Sequence, residues 1–210
     1  LDAVKRHQEN DSKWYGKYDL SNFFGSTTLD YVVSMLETIF PFNMVLDDIA
    51  GREQLVKALD LAFLDGGLPQ GTPLSQMLTN LIMIPVDYKL SQELRNHNKQ
   101  KFVYTRYADD FIISSAYDFN FKEIEKMIVD TLAGFGAPFT INSKKTRYGS
   151  RAGRNWNLGV MVGQQNEITV GYKKKKQFQT MLFNYGMDHK NGIEWSKEDV
   201  QHMEGLRSYY

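Results

Sequence analysis

The chain has 210 residues, 42% of them hydrophobic and 13% aromatic, enough to bury one sizeable core. Its 25 Lys and Arg balance 25 Asp and Glu and it holds no cysteine, which excludes a disulfide framework, a cysteine-based zinc site and a thiol nucleophile. No apolar run approaches the ~18 residues of a spanning helix and no signal peptide opens the chain, so a globular, cytoplasmic protein with no membrane partner is expected.

In chain order, "KWYGKYDLSNFF" (13–24) reads as a strand ending near Asp19, and "TTLDYVVSMLETIF" (27–40) as a helix with Leu29, Val32, Val33, Leu36 and Ile39 on one stripe. A second helix is predicted over "GREQLVKALDLAFL" (51–64). After the loop "DGGLPQGTP", Thr72 and Pro73 suit the cap and first position of a third helix, which Pro85 should kink or split. "FVYTRYADDFIISS" (102–115) is a predicted hairpin with Asp109 and Asp110 at its tip, and "FKEIEKMIVDTLAGFG" (121–136) is a helix with Gly136 as its stop. "PFTINSKKTRYG" and "WNLGVMV" read as extended, and "EITVGY" returns from a turn near Gly163 to Asn166. Helices are predicted for "KKQFQTMLFNYG" and for "SKEDVQHMEGLRSYY", where Ser196 and Asp199 have capping-box spacing. The whole is α+β, without repeats or linkers. Because it opens on Leu1 and its last helix meets no stop signal, it is expected to be a piece of a longer protein.

Charge is uneven. Residues 142–176 hold nine cations (Lys144, Lys145, Arg147, Arg151, Arg154 and Lys173 to Lys176) against the single Glu167, which suits an anionic partner. The four histidines are scattered without ligand spacing. The paired carboxylates need more care: an Asp-Asp at a hairpin tip is most often a solvated turn. Asp19, at the end of another strand, offers a third carboxylate, and three oxygen donors from two strands would suit Mg²⁺.

The ordered set "DLSNFF", "GLPQGTPLSQ", "YADD", "NSKKT" and "NLG", spanning about residues 15–175, resembles the palm of a reverse transcriptase of the prokaryotic branch that includes retron, group II intron and phage-defence enzymes. The resemblance implies a polymerase palm, an antiparallel sheet with helices on one face. Residues 1–171 would form it, with a primer-grip hairpin at about 156–171, and residues 172–210 would begin a truncated thumb. It implies that Asp19, Asp109 and Asp110 are catalytic and bind two Mg²⁺ ions, with Mn²⁺ able to substitute, and that Lys145 of the Asn142-x-x-Lys145-Thr146 element is a general acid, Lys144 being the alternative. Leu20, the aromatic steric gate Phe24, Gln70 and Gly71 would meet the incoming deoxynucleotide. Leu158, Gly159 and Lys173, Lys174, Lys175 and Lys176 would meet nucleic acid. Ser75 and Asn80 either line the template or cap and pack their helix, and Trp156 reads as core.

The implied partners are an RNA template, a DNA primer or product, and deoxynucleoside triphosphates. Eighteen residues precede Asp19, far fewer than the family's fingers require, so fingers and thumb segments, or another subunit, are further implied partners. A catalytic palm adding deoxynucleotides to a primer 3′-hydroxyl is the first reading. A non-catalytic nucleic-acid-binding or scaffolding palm, or a template-independent or protein-primed DNA polymerase, is the alternative. A palm-type nucleotide cyclase ranks third, since it has no use for "NLGVMV" or the lysine run.

Overall fold

The computed structural model describes residues 2–97, 100–153 and 159–209. The elements run α1 (Asp2–Glu9), β1 (Trp14–Ser21), α2 (Phe23–Ser26), α3 (Leu29–Leu36), α4 (Phe42–Asp47), α5 (Ile49–Asp60), α6 (Pro73–Ile82), α7 (Ile84–Asn96), β2 (Phe102–Tyr107), β3 (Asp110–Ser115), α8 (Phe121–Gly134), β4 (Thr140–Ile141), β5 (Arg147–Ser150), β6 (Met161–Val162), β7 (Ile168–Thr169), α9 (Tyr172–Lys190) and α10 (Lys197–Tyr209). The predicted caps form. Thr72 accepts from the Ser75 N–H with Pro73 in the first turn, and the Asp199 N–H donates to Ser196; Asn120, which was not anticipated, also accepts from the first turn of α8. Pro85 has the expected effect: the apolar pattern after Thr72 breaks at Met83 into α6 and α7. α1, α2 and α4 were not predicted; each is eight residues or fewer and too short for periodicity to declare itself.

β1 lies between β3 on one side and β4 and β5 on the other, β2 pairs with the far side of β3, and all these pairings are antiparallel. β6 and β7 form a separate hairpin turning at Gly163 to Asn166, as expected. Side chains alternate across a strand, so β1 sends Tyr18 and Leu20 to one face and Tyr15, Lys17 and Asp19 to the other. The first face carries the main core, where Tyr18, Leu20, Phe111 and Ile113 meet Leu36, Ile82, Leu90, Ile124 and Ile128 of the helices. The second face is covered at one end by a smaller cluster of Val4, Tyr15, Ile112 and Val162, contributed by α1 and the β6–β7 hairpin. Its other end carries Asp19 and Asp110.

α1 is held to that second face by polar contacts as well. His7 is buried (1% exposed), with Nδ1 2.5 Å from the Ser114 hydroxyl and Nε2 2.8 Å from that of Thr105. By contrast, α9 buries none of its side chains and leaves Tyr172, Phe183 and Met187 exposed. No described helix is long and apolar enough to cross a membrane.

Candidate active site

β1 extends two residues past Asp19, to Ser21, and this extension builds the site. In the register, Asp19 lies directly opposite Asp110, so the two carboxylates leave the same face of the sheet from neighbouring strands. Asp110 is the first residue of β3, and the tip proper is the two-residue turn Ala108-Asp109 between the paired Tyr107 and Asp110. The Asp109 carbonyl accepts the Leu20 N–H at 3.1 Å and the Asp19 carbonyl accepts the Asn142 N–H at 2.7 Å. Three chain segments are thereby stitched around Asp19, which is 4% exposed.

Two lysines face these carboxylates. Lys17, two residues before Asp19 on the same face, donates to Asp110 Oδ2 at 2.7 Å. Lys145 Nζ approaches Asp19 at 3.4 Å from Oδ1 and 3.5 Å from Oδ2. The turn Asn142–Thr146 sets that approach: Asn142 accepts the Lys144 N–H through its side chain and those of Lys145 and Thr146 through its carbonyl. Of the two candidate lysines, Lys145 is the one that this turn brings to a carboxylate. Asp109 is pushed up from the ordinary carboxylate value, first by burial and then by Asp110 and Asp19, against the opposing pull of its own backbone N–H and of Lys145. Like charges have been gathered where water only partly screens them.

The Oδ1 atoms of both Asp19 and Asp110 are buried without a hydrogen-bond partner. Buried polar atoms are seldom left so unless something else meets them. They are two hard anionic oxygens on adjacent strands, a donor set that fits Mg²⁺, which is typically held by one or two carboxylates with phosphates and water completing its shell. Among the described residues, no three Asp, Glu or His side chains are arranged around a single point as a ready cage.

The remaining predicted positions are distributed as follows. Leu20 is in the main core, 2% exposed, so its side chain faces away from the carboxylates. Phe24 is half-buried in α2, edge-on to Phe23 at 5.4 Å between centroids, and its carbonyl accepts the Leu68 N–H. Gln70 and Gly71 are exposed in the loop before α6. Ser75 is fully buried and shares its hydroxyl with Thr72 at 2.6 Å, which is the capping and packing alternative. Asn80 is exposed and accepts from Arg106 at 3.3 Å. The Gly159 carbonyl accepts from Lys174 at 3.3 Å. Leu158 and Trp156 lie outside the described residues. Lys173 to Lys176 occupy the first turns of α9, with Lys176 Nζ 6.0 Å from the Tyr172 ring. Cations at that end of a helix oppose its dipole.

Gly67, in the loop that leads to α6, has a steric role. A Cβ there would overlap the Gly25 carbonyl and its neighbouring backbone atoms, so the loop and α2 can meet because Gly67 carries no side chain. Gly67→Ala is expected to cost about 2–3 kcal/mol in urea unfolding. A loss under about 0.5 kcal/mol would show that the loop yields freely.

Two contributors escaped the sequence reading. Lys17 was legible in "GKYD", since strand alternation puts it on the Asp19 face. Arg106 was signalled by a lone cation inside the apolar run before Asp109, but its partner Asp87 is on another element.

A profile of the family described as reverse transcriptase (RNA-dependent DNA polymerase) matches residues 2–183. The retron Ec73 reverse transcriptase of Escherichia coli is 34% identical over 185 residues, covering 84% of this chain and 56% of that protein. The retron Ec83 reverse transcriptase, from the same organism, is 26% identical over 217 residues, covering 98% and 64%. This chain therefore spans between about half and two-thirds of these relatives' lengths. Among solved structures, apo telomerase from Candida tropicalis overlays 80% of this chain and 34% of its own, with a TM-score of 0.55 at 13% identity. That likeness is one of fold, and it fits the expected palm, an antiparallel sheet with helices packed on one face, to which α1 adds a helix on the other.

Proposed function

Because the chain belongs to the reverse transcriptase family, we propose that it is the catalytic palm of an RNA-directed DNA polymerase, adding deoxynucleotides to a primer 3′-hydroxyl on an RNA template. One observation carries the reading: Asp19 and Asp110 stand directly opposite each other on neighbouring strands, each with a buried oxygen that accepts no hydrogen bond, and Asp109 adjoins them in the turn. Residues 1–171 would be the palm and residues 172–210 the start of a thumb.

Asp19, Asp109 and Asp110 would hold two Mg²⁺ ions, or Mn²⁺ in their place. When bound, such ions lower the pKa of an attacking hydroxyl and neutralise a triphosphate. The chain's own part is to place charge. Lys145, its side chain 64% exposed and its Nζ 3.4 Å from Asp19, is free to turn toward a triphosphate and to give a proton to leaving pyrophosphate. Lys17 keeps Asp110 neutralised until a metal cation takes its place. Phe24 would lie under the sugar and exclude a 2′-hydroxyl, Gln70 and Gly71 would line the nucleotide from their exposed loop, and Lys173 to Lys176 would contact phosphates, so that binding weakens steeply with salt.

The test is primer extension by the 210-residue chain on an RNA template with a DNA primer in Mg²⁺, with deoxy- and ribonucleotides compared. Deoxynucleotide-specific extension is expected, and Phe24→Val should raise ribonucleotide use by about tenfold or more. Equal use of both sugars by the native chain would remove Phe24 from its assigned role. A folded chain that binds Mg²⁺ through Asp109 yet extends nothing would mean that catalysis needs the family's other segments. No Mg²⁺ binding at all would favour a scaffolding palm.

A further inference from the structure

Behind the carboxylates lies a charged network with no part in the chemistry above. Arg106 leaves β2 on the helix-covered face, and its side chain is 7% exposed. Its Nε donates to the two Asp87 oxygens at 2.9 and 3.2 Å, and its Nη2 to Oδ2 at 2.8 Å. Asp87 is itself fixed: it lies in the first turn of α7, where the helix dipole favours an anion, and accepts the Tyr104 hydroxyl at 2.6 Å. That leaves Nη1 for two further bonds, to Asn80 Oδ1 at 3.3 Å and to the Ala108 carbonyl at 3.0 Å.

The second of these matters most. Ala108 opens the two-residue turn with φ +50°, a conformation that glycine adopts freely and an alanine resists. The peptide unit joining Ala108 to Asp109 has its carbonyl on Arg106. A peptide unit is planar and rigid, so this bond sets the orientation of the whole unit that leads into Asp109. Rotating that unit would break it. On its other side, the Asp109 carbonyl is tied to Leu20 of β1.

We propose that Arg106, locked by Asp87, is the positioning residue of Asp109: it holds an otherwise unfavourable turn in one peptide orientation and thereby fixes the direction of the Asp109 carboxylate. The part played in metal binding rests on the function proposed above, whereas the hold on the turn does not. Lysine cannot replace arginine here, because an ammonium lacks the planar fork needed to grip Asp87 and the turn together.

The experiment uses the 210-residue chain with Arg106→Lys and Asp87→Asn. It compares hydrogen exchange across residues 102–115, Mn²⁺ affinity by paramagnetic resonance, and kcat and KM for a deoxynucleotide in primer extension. In Arg106→Lys, exchange around the turn should quicken by about tenfold while β1 and β5 stay protected. Mn²⁺ affinity should fall by about 10–100-fold, and kcat by about 100-fold with KM within about twofold. Asp87→Asn should show the same pattern more weakly. Exchange at wild-type rates in the turn would overturn the proposal. So would exchange that rises everywhere while Mn²⁺ affinity per folded molecule is unchanged, since that marks a merely stabilising ion pair. If the wild-type chain neither binds Mn²⁺ nor extends a primer, the metal reading fails, and the exchange comparison alone still decides whether Arg106 holds the turn.

Discussion

Replacing Asp109 by Asn is expected to cut nucleotide addition by about a thousandfold while making the protein more resistant to heat at neutral pH. The loss follows from the proposed metal role: charge stabilisation by a bound ion contributes several kcal/mol to a transition state, and each ~1.4 kcal/mol is tenfold in rate. The gain follows from Asp109's position. Its pKa is raised in the folded protein, by burial first and then by Asp110 and Asp19, so the folded state binds the proton more tightly than the unfolded chain does. Ionising it therefore costs stability as pH rises from the unfolded value near 3.8 through the higher folded value. Asn never ionises. The difference in Tm, variant minus native, should be positive at pH 7 and vanish below about pH 3.8. A difference of the same size at both pH values, or a less stable variant at pH 7, would remove electrostatic strain as the explanation. Sites that hold unneutralised charge for function commonly show this opposition of activity and stability.

Acid should loosen the opposite end of the same sheet face through His7. Burial is the main reason, with Arg6 adding to it, that His7 is held neutral with a pKa lowered from 6.5 to about 4. The sign is opposite to that of a histidine paired with a carboxylate. Its contribution is complete above pH 6.5 and is lost as pH falls from 6.5 through 4, because the unfolded chain takes up the proton first. A shift of that size corresponds to about 3 kcal/mol, much of the margin of an ordinary domain. Urea unfolding at pH 7.5, 6, 5 and 4 should show the decline. His7→Leu should be less stable at pH 7.5, because the Thr105 hydroxyl loses its ring partner while Ser114 keeps Ser12, at about 1–3 kcal/mol for a buried group left unpaired. It should also show a flatter pH dependence between 6.5 and 4. An equally steep decline in that variant would move the acid sensitivity to other groups. The consequence for the site is indirect: α1 and the β6–β7 hairpin cover Tyr15 and Ile112 on the face that carries Asp19, so loosening α1 would unseat the sheet from behind its functional end.

Much of this was legible in the amino acids. The caps at Thr72 and Ser196, the break at Pro85 and the hairpin around Asp109 all rest on neighbours within a few residues. Such signals act through local backbone preference, which a sequence states directly. The carboxylates themselves, their adjacency and the order of the surrounding motifs were determined at that level too. So was the face that Lys17 shares with Asp19, because strand alternation needs no partner. What tertiary structure alone decided is who meets whom: Asp19 opposite Asp110, Lys145 rather than Lys144 at Asp19, His7 between Thr105 and Ser114, Arg106 on Asp87, and the overlap that forbids a side chain on Gly67. Each of these depends on strand register or on the packing of elements far apart in the chain, where a shift of one residue would exchange the faces and dissolve the pairing. Ser75 shows the same limit within a single helix: its position matched a template-lining residue, and burial made it part of a cap.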